Sequence, residues 1–177
     1  MARRGSLIEF QENLSKRLAT AQSQASASSM LAVQSGGIAW VLPLRDAGEV
    51  MPVPALAAVP LTHNWYAGVA NVRGNLYSVI DFSSFCGKGG IQRHPTNRLM
   101  LCGQRHGLNA GILIQQVLGL RDASRLKPAK GGSGGSGAAV ASQPWIGVAL
   151  EDSEGQRYQT LNVEALIAST EFMSVNA

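Results

Sequence analysis

Side chains able to carry catalysis or hold a metal are few in this chain and stand apart. The histidines are His63, His94 and His106, and the cysteines are Cys86 and Cys102. A structural zinc site needs four Cys, His or carboxylate ligands, a catalytic one three, usually nucleated by a close pair. The nearest pairs here, Cys102 with His106 and Cys86 with His94, extend to no ligand set. No histidine has flanking residues that suggest a nucleophile's base, so no catalytic residue, metal or cofactor is expected. Two thiols allow one disulfide at most, and two buried free thiols are the expected state. Gly132-Ser-Gly134-Gly-Ser-Gly137 and Gly131-Gly-Ser133-Gly-Gly135 match in letters the dinucleotide fingerprint and the nucleophile elbow. Both motifs work only between a strand and a helix. This tract follows Lys127-Pro128-Ala-Lys130 and precedes Ala-Ala-Val-Ala, so it reads as a linker.

Binding chemistry has more support. Arg73 is the only basic residue between Arg45 and Lys88, set among apolar stretches, and a planar guanidinium there can take a carboxylate in two parallel bonds. An internal pair of Arg73 with Asp81, with Asn71 capping backbone groups and Gly74 supplying a positive φ, is the structural alternative, and the two readings are compatible. The net charge of +4 is unevenly spread: residues 88–130 contribute +7, from eight basic residues against Asp122. Such a patch can attract phosphates or an acidic protein. No aromatic residue falls between Phe85 and Trp145, so bases would find nothing there to stack on. A basic β-barrel binding nucleic acid through residues 88–130 is therefore the alternative reading, behind a protein partner.

These residues must be positioned by short elements. The chain has 177 residues, 45% hydrophobic and 15% charged, with 20 glycines; that size suits one compact unit or two small ones, and the glycine content suits many tight turns. Ser6 and Glu9 form a capping box, and Leu7, Phe10, Leu14, Leu18 and Ala21 recur at helical spacing, so an amphipathic helix is expected over 7–22. Residues 25–35 are rich in Ser, Ala and Gln and read as a linker. Short apolar runs then predict strands over 38–42, 49–53, 76–80, 98–103, 108–114, 146–150 and 157–161, with helical turns over 82–85 and 163–168. No apolar run is long or continuous enough to span a membrane. A phrase also repeats. Trp65-x-x-Gly68-Val69-Ala70 returns as Trp145-x-Gly147-Val148-Ala149, and Gly74-x-x-Tyr77-x-x-Ile80-Asp81-Phe82-x-x-Phe85 as Gly155-x-x-Tyr158-x-x-Leu161-Asn162-Val163-x-x-Leu166. Each copy reads as strand, loop, strand, capping Asx and short helix, which predicts two similar β subdomains.

The segment Gly68-Val-Ala-Asn71-Val-Arg73-Gly74-Asn-Leu-Tyr-Ser-Val79-Ile80-Asp81 resembles the signature of the CheW family of chemotaxis coupling proteins. The resemblance covers roughly residues 36–168. It takes in Glu49-Val50, the prolines Pro52, Pro54 and Pro60 before Trp65, and Leu161-Asn162-Val163-Glu164-Ala165-Leu166. The Val-Arg-Gly form and Trp65 are most similar to pilus-linked chemosensory adaptors of twitching bacteria. The resemblance implies an all-β fold of two pseudo-symmetric, five-stranded, SH3-like barrels within a domain spanning 36–168, with residues 1–35 as helix and linker and 169–177 as a tail. It implies a non-enzymatic cytoplasmic adaptor, recruited to membrane-associated receptor arrays without inserting in the membrane. Its implied partners are the cytoplasmic tip of methyl-accepting chemoreceptors and the regulatory domain of a histidine kinase, with no nucleic acid. It places Asn71, Val72, Arg73, Gly74 and Asp81 in the partner-binding loop and its support, and Glu49 and Val50 near the partner surface. Asn162 stands where relatives carry aspartate, and the 128–144 segment is unusually rich in glycine.

Overall fold

A computed structural model describes residues 28–129 and 143–177. The helix expected over 7–22 and the Gly/Ser tract 131–137 lie outside the described residues. Among the described residues, twelve strands form two six-stranded sheets. In chain order they are β1 (Ser29–Ser35), β2 (Ile38–Pro43), β3 (Ala47–Pro52), β4 (Leu56–Ala57), β5 (Tyr66–Val72), β6 (Asn75–Asp81), β7 (Arg98–Cys102), β8 (Ala110–Ile114), β9 (Gln116–Asp122), β10 (Lys127–Pro128), β11 (Ile146–Glu151) and β12 (Arg157–Leu161). One sheet runs β10-β11-β12-β2-β1-β9 and the other β3-β7-β8-β6-β5-β4. Among the described residues no helix is long and apolar enough to cross a membrane.

The all-β reading in two units holds; each barrel-like unit is a sheet of six strands where five were expected. Residues 29–35, expected as linker, are β1. In Ser-Met-Leu-Ala-Val-Gln-Ser, Leu31 and Val33 bury one face and Ala32 the other, and burial on both faces hides the alternation that marks a strand in sequence. Strand β9 was missed as well, because Gly119 and a register shift interrupt its period. The Thr170–Met173 helix falls within the expected tail; Ser169 caps it, and Phe172 enters the core.

The repeat is deeper than its motif. Strands β1 to β6 and β7 to β12 follow the same course, and each half gives its first two strands to one sheet and its last four to the other. Each sheet is therefore built from both halves, joined by a parallel pair: β6 with β8 (Ser78 opposite Ala110) and β12 with β2 (Gln159 opposite Trp40). The symmetry reaches single hydrogen bonds. Asp81 N–H donates to the Trp65 carbonyl at 2.8 Å, and Asn162 N–H to that of Trp145 at 2.8 Å. Asp81 accepts from Ser84 N–H and Asn162 from Ala165 N–H, starting the short helices Phe82–Phe85 and Val163–Ala168.

A shared core lies between the sheets: Leu31, Val33, Trp40 and Leu42 from one side, Met100, Ile112 and Ile114 from the other, and Phe82, Phe85, Val163 and Leu166 from the two helices. Trp40, Phe82 and Trp145 pack with ring centroids 5.0 to 6.0 Å apart, a range that favours edge contacts between aromatic quadrupoles. Each sheet also curls around a smaller core of its own, containing Val72, Val79 and Leu99 in one and Val41, Leu126 and Tyr158 in the other. In the latter, Arg121 Nε donates to the Tyr158 hydroxyl at 2.9 Å, which donates to Asp152 at 3.0 Å. Both cysteines are free and buried.

Candidate functional site

Strands β5 and β6 form a hairpin in which Val72 opposes Asn75, leaving Arg73 and Gly74 as its two-residue turn. Both have positive φ, 53° and 86°, the combination that matches the strands' right-handed twist in a two-residue turn. Glycine adopts it freely. For Arg73 the left-handed region costs on the order of 1 kcal/mol. Asn71 Oδ1 accepts the Gly74 N–H at 2.9 Å and holds the turn closed. The sequence reading of Asn71 and Gly74 as turn-formers describes this local geometry.

Arg73 does not pair with Asp81. Its Nη2 donates to Glu49 Oε1 at 2.7 Å, while Asp81 sits at the far end of β6, roughly 20 Å along a strand rising about 3.3 Å per residue. Asp81 is buried, and its two oxygens accept the Ser84 and Ile91 N–H groups at 3.1 and 2.7 Å. It supports the chain after the hairpin. A shared sequence signature cannot separate these roles, since both residues serve one strand pair from opposite ends.

Glu49 meets Arg73 because β3 bulges. Ala47 opposes Cys102 and Val50 opposes Met100, so one extra residue is accommodated on β3 and the strand re-aims its side chains. Gly48 permits this: a Cβ there would stand 3.1 Å from the Leu101 carbonyl oxygen. Val50, the next residue, is half-buried and packs on the shared core. Val72 is buried beneath the hairpin.

The seven residues singled out in the sequence thus divide. Glu49, Val72 and Arg73 line one shallow cleft of about 350 Å³, together with Gly48, Asn75 and Tyr77. Asn71 and Gly74 shape its rim, Val50 backs it from the core side, and Asp81 stands apart. Sequence reasoning missed Leu76, which is 64% exposed directly opposite Asn71. An apolar residue two positions past a polar turn is its one signal. The Arg73 side chain is 74% exposed and that of Glu49 38%, so their ion pair contributes roughly 0.2–1 kcal/mol. It fixes the direction of the guanidinium more than it stabilises the fold. Arginine's remaining donors, beside an exposed leucine on a rigid turn, make a surface suited to a protein partner.

The basic stretch 88–130 does not form one patch. Arg105 is paired with Asp46 at 2.9 Å on one sheet, whereas Arg121, Arg125 and Lys127 lie on or beside β9 and β10 of the other.

Burial pushes both thiols up, from an ordinary 9.0 to about 12 for Cys86 and Cys102 alike. Neither is a nucleophile at neutral pH.

Residues 29–171 match the family model of the CheW-like domain. Protein PilI of Pseudomonas aeruginosa is 33% identical over 88 residues, covering 49% of this chain and 48% of PilI, so this match spans about half of that relative. Protein FrzA of Myxococcus xanthus is 28% identical over 135 residues, covering 75% of this chain and 80% of FrzA. The scaffolding protein TtCheW from Thermoanaerobacter tengcongensis shares the fold, with a TM-score of 0.63 at 17% identity over 82% of this chain and 95% of its own.

Proposed function

The chain belongs to the CheW-like domain family, and from that premise we propose that it is a non-enzymatic adaptor, coupling the cytoplasmic tips of methyl-accepting chemoreceptors to the regulatory domain of a histidine kinase. The pilus-linked branch is the version of this system we favour, supported by the Val72-Arg73-Gly74 turn, Trp65 and the similarity to PilI. The observation that carries the reading is Arg73: a non-glycine residue held at φ 53° on a hairpin apex, aimed by Glu49 and mostly exposed. Strain retained at an exposed position, where glycine would relieve it, is a mark of function.

Such a bridge works through binding free energy. Receptor and kinase are coupled when each prefers a particular arrangement of the adaptor between them, which requires differential contacts and no covalent step. Arg73, Asn71 and Leu76 contact the receptor helices, and the apolar surface flanking Glu49 and Val50 contacts the kinase domain. The proposed array places the protein in the cytoplasm, against the membrane only through its partners.

Co-sedimentation of purified kinase with receptor tips tests this. Assembly requires the chain, and Arg73→Glu reduces it at least tenfold with circular dichroism unchanged. The swapped pair Glu49→Arg with Arg73→Glu restores the ion pair but not the assembly, because the guanidinium itself meets the partner. Full recovery in the swap would reduce Arg73 to a brace, and kinase that sediments without the chain would sink the adaptor reading.

A further inference from the structure

The sheet that carries the hairpin has a second, larger depression at its other end. Pro52, Val53 and Pro54 leave β3, Leu56 begins β4, and the segment after the Phe82–Phe85 helix returns across them with Ile91 and Pro95. Together they wall a groove of about 560 Å³, within the range of ligand pockets, about 300–1,000 Å³. It shares no lining residue with the hairpin cleft.

Its rim is cationic. From Phe82 to Arg121 the chain has no acidic residue, and Arg93 and Arg98 fall in the segment that returns across the groove. Among the described residues neither takes part in an ion pair. Arg98 is spent on the Pro95 and Asn97 carbonyls, at 2.6 and 2.8 Å, and these bonds stiffen the loop without neutralising its charge. Asn97, buried, ties the loop to the Gln92 carbonyl at 2.8 Å. The rigid loop thereby presents Arg93, exposed and lining the groove. Beside it, His94 Nδ1 lies 2.8 Å from the Thr96 hydroxyl and 3.3 Å from the Thr96 amide nitrogen, which ties the exposed imidazole to the same loop. The one carboxylate in the lining, Asp81, is buried with both oxygens accepting backbone N–H groups.

We propose that this groove is a docking site for an extended, acidic and apolar segment of a partner protein, with a bulky apolar side chain between the prolines and Ile91 and a neighbouring Asp or Glu on Arg93 and His94. The floor is aliphatic, so it rewards burial of an apolar side chain. The unpaired guanidinium selects a carboxylate through parallel hydrogen bonds. The edge of β4, which among the described residues pairs only with β5, is open to main-chain bonding by an extended peptide. Single-stranded nucleic acid is disfavoured, because the lining has no Phe, Tyr or Trp ring to form a stacking platform for successive bases. This site adds a contact beyond those of the adaptor reading and does not depend on it.

The test selects binders from a phage-displayed library of random dodecapeptides on the immobilised full chain. Peptides pairing Asp or Glu with a neighbouring Leu, Ile or Phe are enriched. Resynthesised, they shift the amide resonances of Leu56, Ile91, Arg93 and His94. Arg93→Glu weakens them at least tenfold, about 1.4 kcal/mol, His94→Ala weakens them less, and Glu49→Arg leaves them unchanged. Arg93 and His94 are exposed, so these variants keep the native circular dichroism. Failure of acidic-apolar peptides to enrich, shifts confined to the hairpin, or an Arg93→Glu variant that binds as tightly overturns the proposal. Oligonucleotide binding that shifts the same four amides would reassign the groove to nucleic acid.

Discussion

Asp81 shows how one side chain can serve an architecture while appearing to belong to a binding motif. Its carboxylate satisfies two backbone donors in a buried setting, and removing an acceptor strands each donor at a cost of roughly 1–3 kcal/mol. Asp81→Ala is expected to lower stability by about 2–4 kcal/mol in urea titrations. Asp81→Asn is milder, since its single carbonyl oxygen keeps one of the two bonds. Arg73→Ala, by contrast, changes stability by less than about 1 kcal/mol, because its ion pair is exposed. The cysteines give a second prediction at this scale. Unfolded thiols ionise near 9.0, whereas the folded ones hold their protons to about 12 because burial disfavours the thiolate. The native state therefore binds more protons in that window. Stability is full below pH 9 and falls as pH rises from 9 toward 12, by up to about 1.4 kcal/mol per thiol per unit. Denaturant midpoints measured across this range check it, and iodoacetamide at pH 8 should modify neither thiol until the chain unfolds. The pairing of Arg73 with Glu49 was not legible, since the residues lie far apart in sequence and either Glu49 or Asp81 is a chemically sound partner.

Elements were legible where alternation or a continuous apolar run marks them, and hidden where polar residues or a bulge break the pattern. The β6 and β12 strands, with an Asx cap and a helix after each, follow from alternation and capping chemistry that act within a few residues. Strand β1 carries apolar residues on both faces inside a Ser- and Gln-rich stretch, and β9 is broken by a bulge. Bulge geometry depends on the neighbouring strand, so composition does not reveal it. Glycine positions separate the two kinds of constraint experimentally. At Gly68, φ is 121° and a Cβ would lie 2.3 Å from the Ala57 carbonyl oxygen, where β4 crosses close to β5. At Gly74, φ is 86° but nothing lies within 4 Å. Gly68→Ala should cost roughly 2–4 kcal/mol, combining backbone strain with a clash against main chain, and Gly74→Ala only about 1 kcal/mol. Thermal unfolding of the pair measures the difference.

For the whole molecule, the exchange of strands between halves has the largest consequence. Neither sheet is made from a contiguous stretch, and the shared core takes residues from β1, β2, β7 and β8 together with the three capped helices. The two sheets should unfold as one unit, with coincident urea transitions by tryptophan fluorescence and far-ultraviolet circular dichroism. A fragment ending between β6 and β7 should be unfolded alone, and the two fragments together should regain the native spectrum. Two separated transitions, or a folded fragment, would contradict the exchange. The amino-acid sequence by itself determined the all-β class, the duplication and the Asn71 to Gly74 turn, because alternation, capping and turn chemistry act over a few neighbouring residues. Only the tertiary structure decided which half supplies each sheet, that Glu49 is the partner of Arg73, and that the prolines after β3 and the cationic loop after Phe85 form one groove. Those outcomes depend on strand pairing between residues distant in the chain, which no local pattern of side chains encodes.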